Sequence, residues 1–277
     1  MNTILVTGAS SGFGKATVQL FAQAGWNVVA TMRTPAQASF DGIDPARLLV
    51  TRLDVEDSAS IDAAIAAGIA TFGNIDVVVN NAGYGLFGIF EGMPRAAIAQ
   101  QFATNVFGVM DVCRAILPHF RSRQAGTIIN VSSGAGAIGF PMASLYSASK
   151  FALEGFSEGL SWEMAAVGIA VKLIEPGGAP ETGFMARAGA AGAQSEFIED
   201  YAPFLQHIAP MYAGMGEAAD KDAVAKVAAA IFTAATDGTS QLRYTPTNDI
   251  EPFLQARRSA SEEQYRALTS AVFGKPA

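Results

Sequence analysis

A tyrosine and a lysine four positions apart, Tyr146 and Lys150 in Leu145-Tyr146-Ser147-Ala148-Ser149-Lys150, are the residues of this 277-residue chain whose types and spacing best suit chemistry. If residues 144–165 are helical, both side chains lie on one face, a turn apart, with an ammonium beside a phenol. A phenol ordinarily titrates at a pKa of about 10, and a neighbouring cation favours phenolate, moving the group toward a range useful for proton transfer near neutral pH. Ser133 stands thirteen residues before Tyr146, after an apolar run that reads as a strand.

A second constellation lies at the start of the chain. Thr7-Gly8-Ala9-Ser10-Ser11-Gly12-Phe13-Gly14 follows the first apolar run directly and leads into a helical pattern. Glycines there permit a tight turn and let backbone approach a pyrophosphate, while the helix N-terminus adds amide donors and the positive end of its dipole. Between a first strand and a first helix, such a turn points to a dinucleotide.

Elements that could position these groups alternate along the chain. Short β-branched runs at Thr3–Thr7, Asn27–Thr31, Leu48–Leu53, Asp76–Asn80, Thr127–Val131 and Ile169–Ile174 read as strands. Between them Phe13–Ala24, Ser58–Phe72, Ala97–Phe120 and Tyr146–Ala166 carry apolar residues three and four apart, as helices packed on a sheet do. This alternation predicts one α/β domain over residues 1–277, a doubly wound parallel sheet with helices on both faces. Ala186–Ala193 reads as a mobile loop, and Phe184 to Met215, rich in Met and Phe without a strand pattern, as a lid or pocket wall over 184–216. A helix at Asp220–Thr236, a strand at Gln241–Thr245 and a C-terminal helix near Glu251–Phe273 complete the expectation.

Composition narrows the partners. The net charge is −7, with 16% charged residues, so no basic footprint for nucleic acid is visible. No apolar run reaches the roughly 20 residues of a membrane span, and the start of the chain lacks a secretory pattern, so a soluble cytoplasmic protein is expected. Cys113, the single cysteine, reads as core. His119 and His207 lie far apart with no ligand cluster around them, so no metal site is expected.

Taken in order, the motifs resemble the short-chain dehydrogenase/reductase family. Thr7 to Gly14 match its Thr-Gly-x-x-x-Gly-x-Gly pattern, and Asn80-Asn81-Ala82-Gly83 its motif after the fourth strand. Asn105 matches its helix asparagine, Ser133, Tyr146 and Lys150 its catalytic residues, and Pro176-Gly177 its motif after the sixth strand. The likeness spans about residues 1–183, and beyond that it is one of fold, resembling the hydroxysteroid and retinol dehydrogenase branch.

The resemblance implies a Rossmann-type fold and a nicotinamide dinucleotide held by Gly8, Ser10, Ser11, Gly12, Phe13, Gly14, Asn81, Ala82, Gly83, Pro176 and Gly177, with Asp54 and Val55 at the adenine. Met32 stands where NAD-preferring members commonly carry Asp, and Arg33 follows with Ser10 and Ser11 near, so NADP(H) is the expected cofactor and NAD(H) the alternative. Tyr146 is expected to give a proton to a carbonyl oxygen, Ser133 to stabilise that oxygen, Lys150 to lower the Tyr146 pKa and hold the ribose, and Asn105 to anchor a water. Thr182, one residue later than the family's usual Thr, is the candidate contact to the carboxamide. The expected substrate is a small apolar ketone, aldehyde or alcohol. A 3-oxoacyl reductase acting on acyl carrier protein and a non-catalytic cofactor sensor are the alternatives. A homodimer or other homo-oligomer stays open, since the Gly-rich tail of the common tetramers is absent.

Overall fold

The computed structural model describes residues 1–274. Its centre is a seven-stranded parallel sheet in the order β3-β2-β1-β4-β5-β6-β7. The strands are β1 (Thr3–Val6), β2 (Asn27–Met32), β3 (Leu48–Arg52), β4 (Val77–Asn80), β5 (Gly126–Val131), β6 (Ile169–Ile174) and β7 (Arg243–Tyr244). Strand side chains alternate between faces. Leu5, Val29, Val78 and Ile128 therefore pack with α2 (Ser58–Phe72), α4 (Gly108–Arg123) and α5 (Ser144–Ala165), whereas Ile4, Val6, Val28 and Ile129 pack with α1 (Gly12–Gln23) and α8 (Ala223–Thr236). Cys113 is buried in the first of these cores, and burial pushes its thiol up to about 12.

Four expectations change. The expected helix Ala97–Phe120 runs from Arg95 to Arg123, but α3 (Arg95–Phe102) joins α4 through a π-helical turn at Ala103–Phe107. Ala186–Ala193 is no loop: it belongs to α6 (Phe184–Gly192) and its C-cap, because its alanines favour helix more than its glycines oppose it. Only Arg243–Tyr244 of the expected strand Gln241–Thr245 pairs with β6. The expected C-terminal helix is two, α9 (Glu251–Ser259) and α10 (Glu262–Phe273), parted where Ser261 and Gln264 form a capping box. Between α6 and α8 lies α7 (Ala202–Ala218). No described helix is long and apolar enough to cross a membrane.

Candidate active site

A cavity of about 1250 Å³ opens at the C-terminal ends of the strands. In doubly wound sheets ligands bind there, at the switch point between β1 and β4. Gly8, Ser10, Ser11, Gly12 and Phe13 line it after β1, and Asn81, Ala82 and Gly83 after β4. Asn81 donates through Nδ2 to the carbonyls of Thr7 (2.9 Å) and Gly8 (3.1 Å), while Thr7 Oγ1 accepts from the amides of Asn81 and Ala82, both at 3.0 Å. These bonds clamp the turn. Gly8 has φ +66°, and a Cβ there would lie 2.9 Å from Ala82 Cα. Gly14 sits behind the turn, outside the cavity lining, where a Cβ would come within 2.4 Å of Gly8 O.

The turn suits a pyrophosphate for two reasons. No side chain caps the start of α1, because Ser11 makes no cap bond, so the first helical amides stay available to an anion. The glycines also leave the wall bare where side chains would fill it. At the sheet edge Met32 and Arg33 line the cavity after β2, with Arg33 exposed and Met32 buried. Asp54 and Val55 line it after β3. Asp57, not Asp54, caps α2 by accepting from Ser60 N at 3.3 Å, which leaves Asp54 facing the cavity.

Ser133, Tyr146 and Lys150 come together where β5 ends and α5 begins. The Ser133 side chain beside the Tyr146 hydroxyl favours the phenolate, but burial outweighs this and pushes the phenol up to about 12. The Lys150 ammonium stands over the face of the Tyr146 ring. Lys150 Nζ donates to the Val131 carbonyl at 2.8 Å and lies 5.9 Å from the centre of the Tyr146 ring. Burial draws the Lys150 ammonium down to about 8, against the charge of Glu154. The lysine's hydrogen bond goes to the end of β5.

Asn105 sits in the π-helical turn, 1% exposed and behind the cavity wall. Its Oδ1 accepts from Tyr84 N at 3.1 Å and its Nδ2 donates to Tyr84 O at 2.9 Å, so the amide holds the Gly83–Tyr84 backbone. Pro176 and Gly177 line the cavity after β6. Gly177 N donates to Thr247 Oγ1 (2.8 Å) and Gly178 N to Asp249 Oδ2 (2.7 Å), which pins this loop to the C-terminal segment. Thr182 also lines the cavity, with its hydroxyl donating to Ala179 O at 2.8 Å.

Beyond Tyr146 the cavity turns apolar. Phe87 and Phe184 flank the Tyr146 ring at 5.7 and 5.5 Å between centres, and Phe140, Met185, Met211 and Met215 extend the wall. Tyr212 joins this wall and donates its hydroxyl to the Pro141 carbonyl, fastening α7 across the opening. The Met and Phe residues read as a group from sequence thus divide, since Phe197 is 70% exposed and outside the lining. Sequence reading missed the contribution of Ile250, Phe253 and Val272. Apolar residues three and four apart at Ile250, Phe253 and Leu254 were the available signal, because they mark the face that packs on Ile138 and Phe140.

Comparison with known proteins agrees with this geometry. The family model described as short chain dehydrogenase matches residues 2–191. The chain is 33% identical to mouse 17-beta-hydroxysteroid dehydrogenase type 1 over 92% of its own length and 76% of the relative's. It superimposes on a crystal structure of a short-chain dehydrogenase from Streptomyces avermitilis with a TM-score of 0.80 at 33% identity, covering 98% of this chain and 95% of that one. It also matches ElxO solved with NADP bound, at 26% identity and a TM-score of 0.70 over 88% of this chain and 97% of the other. The chain therefore belongs to the short-chain dehydrogenase family, oxidoreductases that use a nicotinamide cofactor to interconvert CH–OH and C=O groups.

Proposed function

We propose that this protein is an NADP(H)-preferring reductase of an apolar ketone or aldehyde, also able to oxidise the matching alcohol, with Tyr146 as general acid and base. One observation carries the reading: a single cavity joins the glycine turn to Ser133 and Tyr146 and continues into a wall of Phe87, Phe140, Phe184, Met185, Met211 and Phe253. Unbranched thioethers and aromatic rings suit a bulky apolar substrate with few polar groups. The relative named for a hydroxysteroid and the neighbour solved with NADP support the same reading.

The residues divide the work. The amides at the start of α1, with Ser10, Ser11 and Gly12, would hold the pyrophosphate, Asp54 and Val55 the adenine, and Asn81, Ala82, Gly83, Pro176, Gly177 and Thr182 the rest of the dinucleotide. Arg33, with no acidic neighbour at Met32, favours a ribose 2′-phosphate. When bound, the nicotinamide supplies or takes up a hydride at the substrate carbon. Tyr146 is protonated at neutral pH and gives that proton to the carbonyl oxygen, then regains one from solvent. Ser133 Oγ hydrogen-bonds the same oxygen as negative charge builds on it. Lys150, still largely an ammonium at neutral pH, favours the phenolate left behind, and Asn105 steadies the backbone around it.

The test is the loss of NADPH absorbance with a panel of apolar ketones, aldehydes and quinones, run beside NADH and with Tyr146→Phe as blank. Turnover that needs Tyr146 and prefers NADPH is expected. Tight NADPH binding with no turnover on any member would overturn the substrate reading.

A further inference from the structure

Three consecutive residues at the end of β5 meet three residues on one face of α5. Val131 O accepts from Lys150 Nζ, the Ser132 hydroxyl faces the Glu154 carboxylate, and Ser133 faces the Tyr146 hydroxyl. Tyr146, Lys150 and Glu154 follow at steps of four, which stacks them along the helix. The first two have tasks in the proposed reaction. Glu154 has none, yet it is only 7% exposed.

A carboxylate is costly to bury unless it is paired. Glu154 Oε2 accepts from Arg243 Nε at 3.0 Å, and Arg243 reaches on to Glu158 at 2.5 Å. A second buried carboxylate, Glu175 just after β6, pairs with Arg258 of α9 and lies 3.7 Å from Arg243. Glu154 Oε1 and Ser132 Oγ are buried with no hydrogen-bond partner. They meet over Gly136, where a Cβ would lie 2.7 Å from Ser132 Oγ and 3.2 Å from Glu154 Oε1. The charged groups around Glu154 are thus Lys150 and Glu158 on α5, Glu175 after β6, and Arg243 on β7.

We propose that Glu154 is a positioning residue for proton delivery: its charge keeps Lys150 an ammonium, and its bond to Arg243 ties that charge to the C-terminal segment. The inference rests on the reading of Tyr146 and Lys150 as the pair that handles the proton. Burial opposes the charged form of both Lys150 and Glu154: Glu154 offsets this for Lys150 across one helical turn, and Arg243 offsets it for Glu154. Loss of the Glu154 charge should let desolvation act on Lys150 unopposed.

The test reads Lys150 directly. The chain has six lysines, so Cε-labelled lysine followed by heteronuclear NMR through a pH titration resolves them, with Lys150→Met assigning the signal. This measurement needs neither cofactor nor substrate, and so stands whether or not reductase activity is found. Glu154→Gln is expected to move the Lys150 titration to lower pH, while Glu154→Asp, which keeps the charge, moves it less. If the Gln variant fails to fold, Glu154→Leu, which fills the volume without an amide, is read the same way. Where turnover is available, the high-pH limb of the rate profile should move down with Glu154→Gln, a roughly tenfold loss at pH 8 corresponding to about 1.4 kcal/mol. A Lys150 titration unchanged in the folded neutral variant would overturn the inference.

Discussion

Tyr146 and Lys150 are perturbed in opposite senses by the same cause, burial, and each perturbation predicts a measurement. A phenol held near 12 stays protonated, so Tyr146→Phe should lower kcat by about 10²–10⁴-fold while NADPH binding, read by fluorescence, stays close to wild type. Burial shifts Lys150 toward its neutral form in the folded chain, with a pKa of about 8 against the ordinary 10.5. Between those values the unfolded chain binds more protons, so stability rises with pH across the window and the burial cost is fully present below it. Lys150→Met should therefore raise Tm at pH 7, the direction in which the relieved burial cost acts. The variant should also flatten the rise in stability that the wild type gains between about pH 8 and 10.5. Reduction should slow as pH climbs through about 8 and the ammonium is lost, which a rate profile would check.

The elements that carry the glycine turn and the cofactor edge were legible in advance because their signals are local. β-branched runs mark β1 to β6, and the turn lies between β1 and α1 as expected. The misses have longer-range or subtler causes. The π-helical turn around Asn105 leaves no mark in apolar spacing, since the flanking residues remain helical. The break at Ser261 was legible in Ser261-Glu262-Glu263-Gln264, a capping box overlooked within an apolar repeat. Helical spacing placed Lys150 beside Tyr146 but could not show its bond to the Val131 carbonyl, which belongs to β5. Two predictions belong to this scale. Gly14→Ala should abolish dinucleotide binding and lower Tm, since the new methyl meets Gly8 O, and calorimetry reads both. Arg33→Ala should weaken NADPH binding by roughly tenfold, the worth of about 1.4 kcal/mol, and leave NADH nearly unchanged, as paired titrations would register.

Across the whole molecule the cavity draws on both ends of the chain, and its two halves should respond separately. Met211→Gln places an amide in the apolar wall and should raise KM for an apolar ketone several-fold without altering NADPH affinity. Steady-state kinetics beside a binding titration separates the two. The wall itself closes late in the chain: Ile250 packs on Ile138 and covers Gly134, and Phe253 stands beside Phe273. A chain emerging from the ribosome completes its first strands and helices while α9 and α10 are still unmade. The glycine turn and the tyrosine are thus translated long before Ile250, Phe253 and Val272, which complete the wall that faces them. Truncation before Ile250 and α9 would therefore strip Ile250, Phe253 and Val272 from the wall and leave the glycine turn, Ser133 and Tyr146 in the chain.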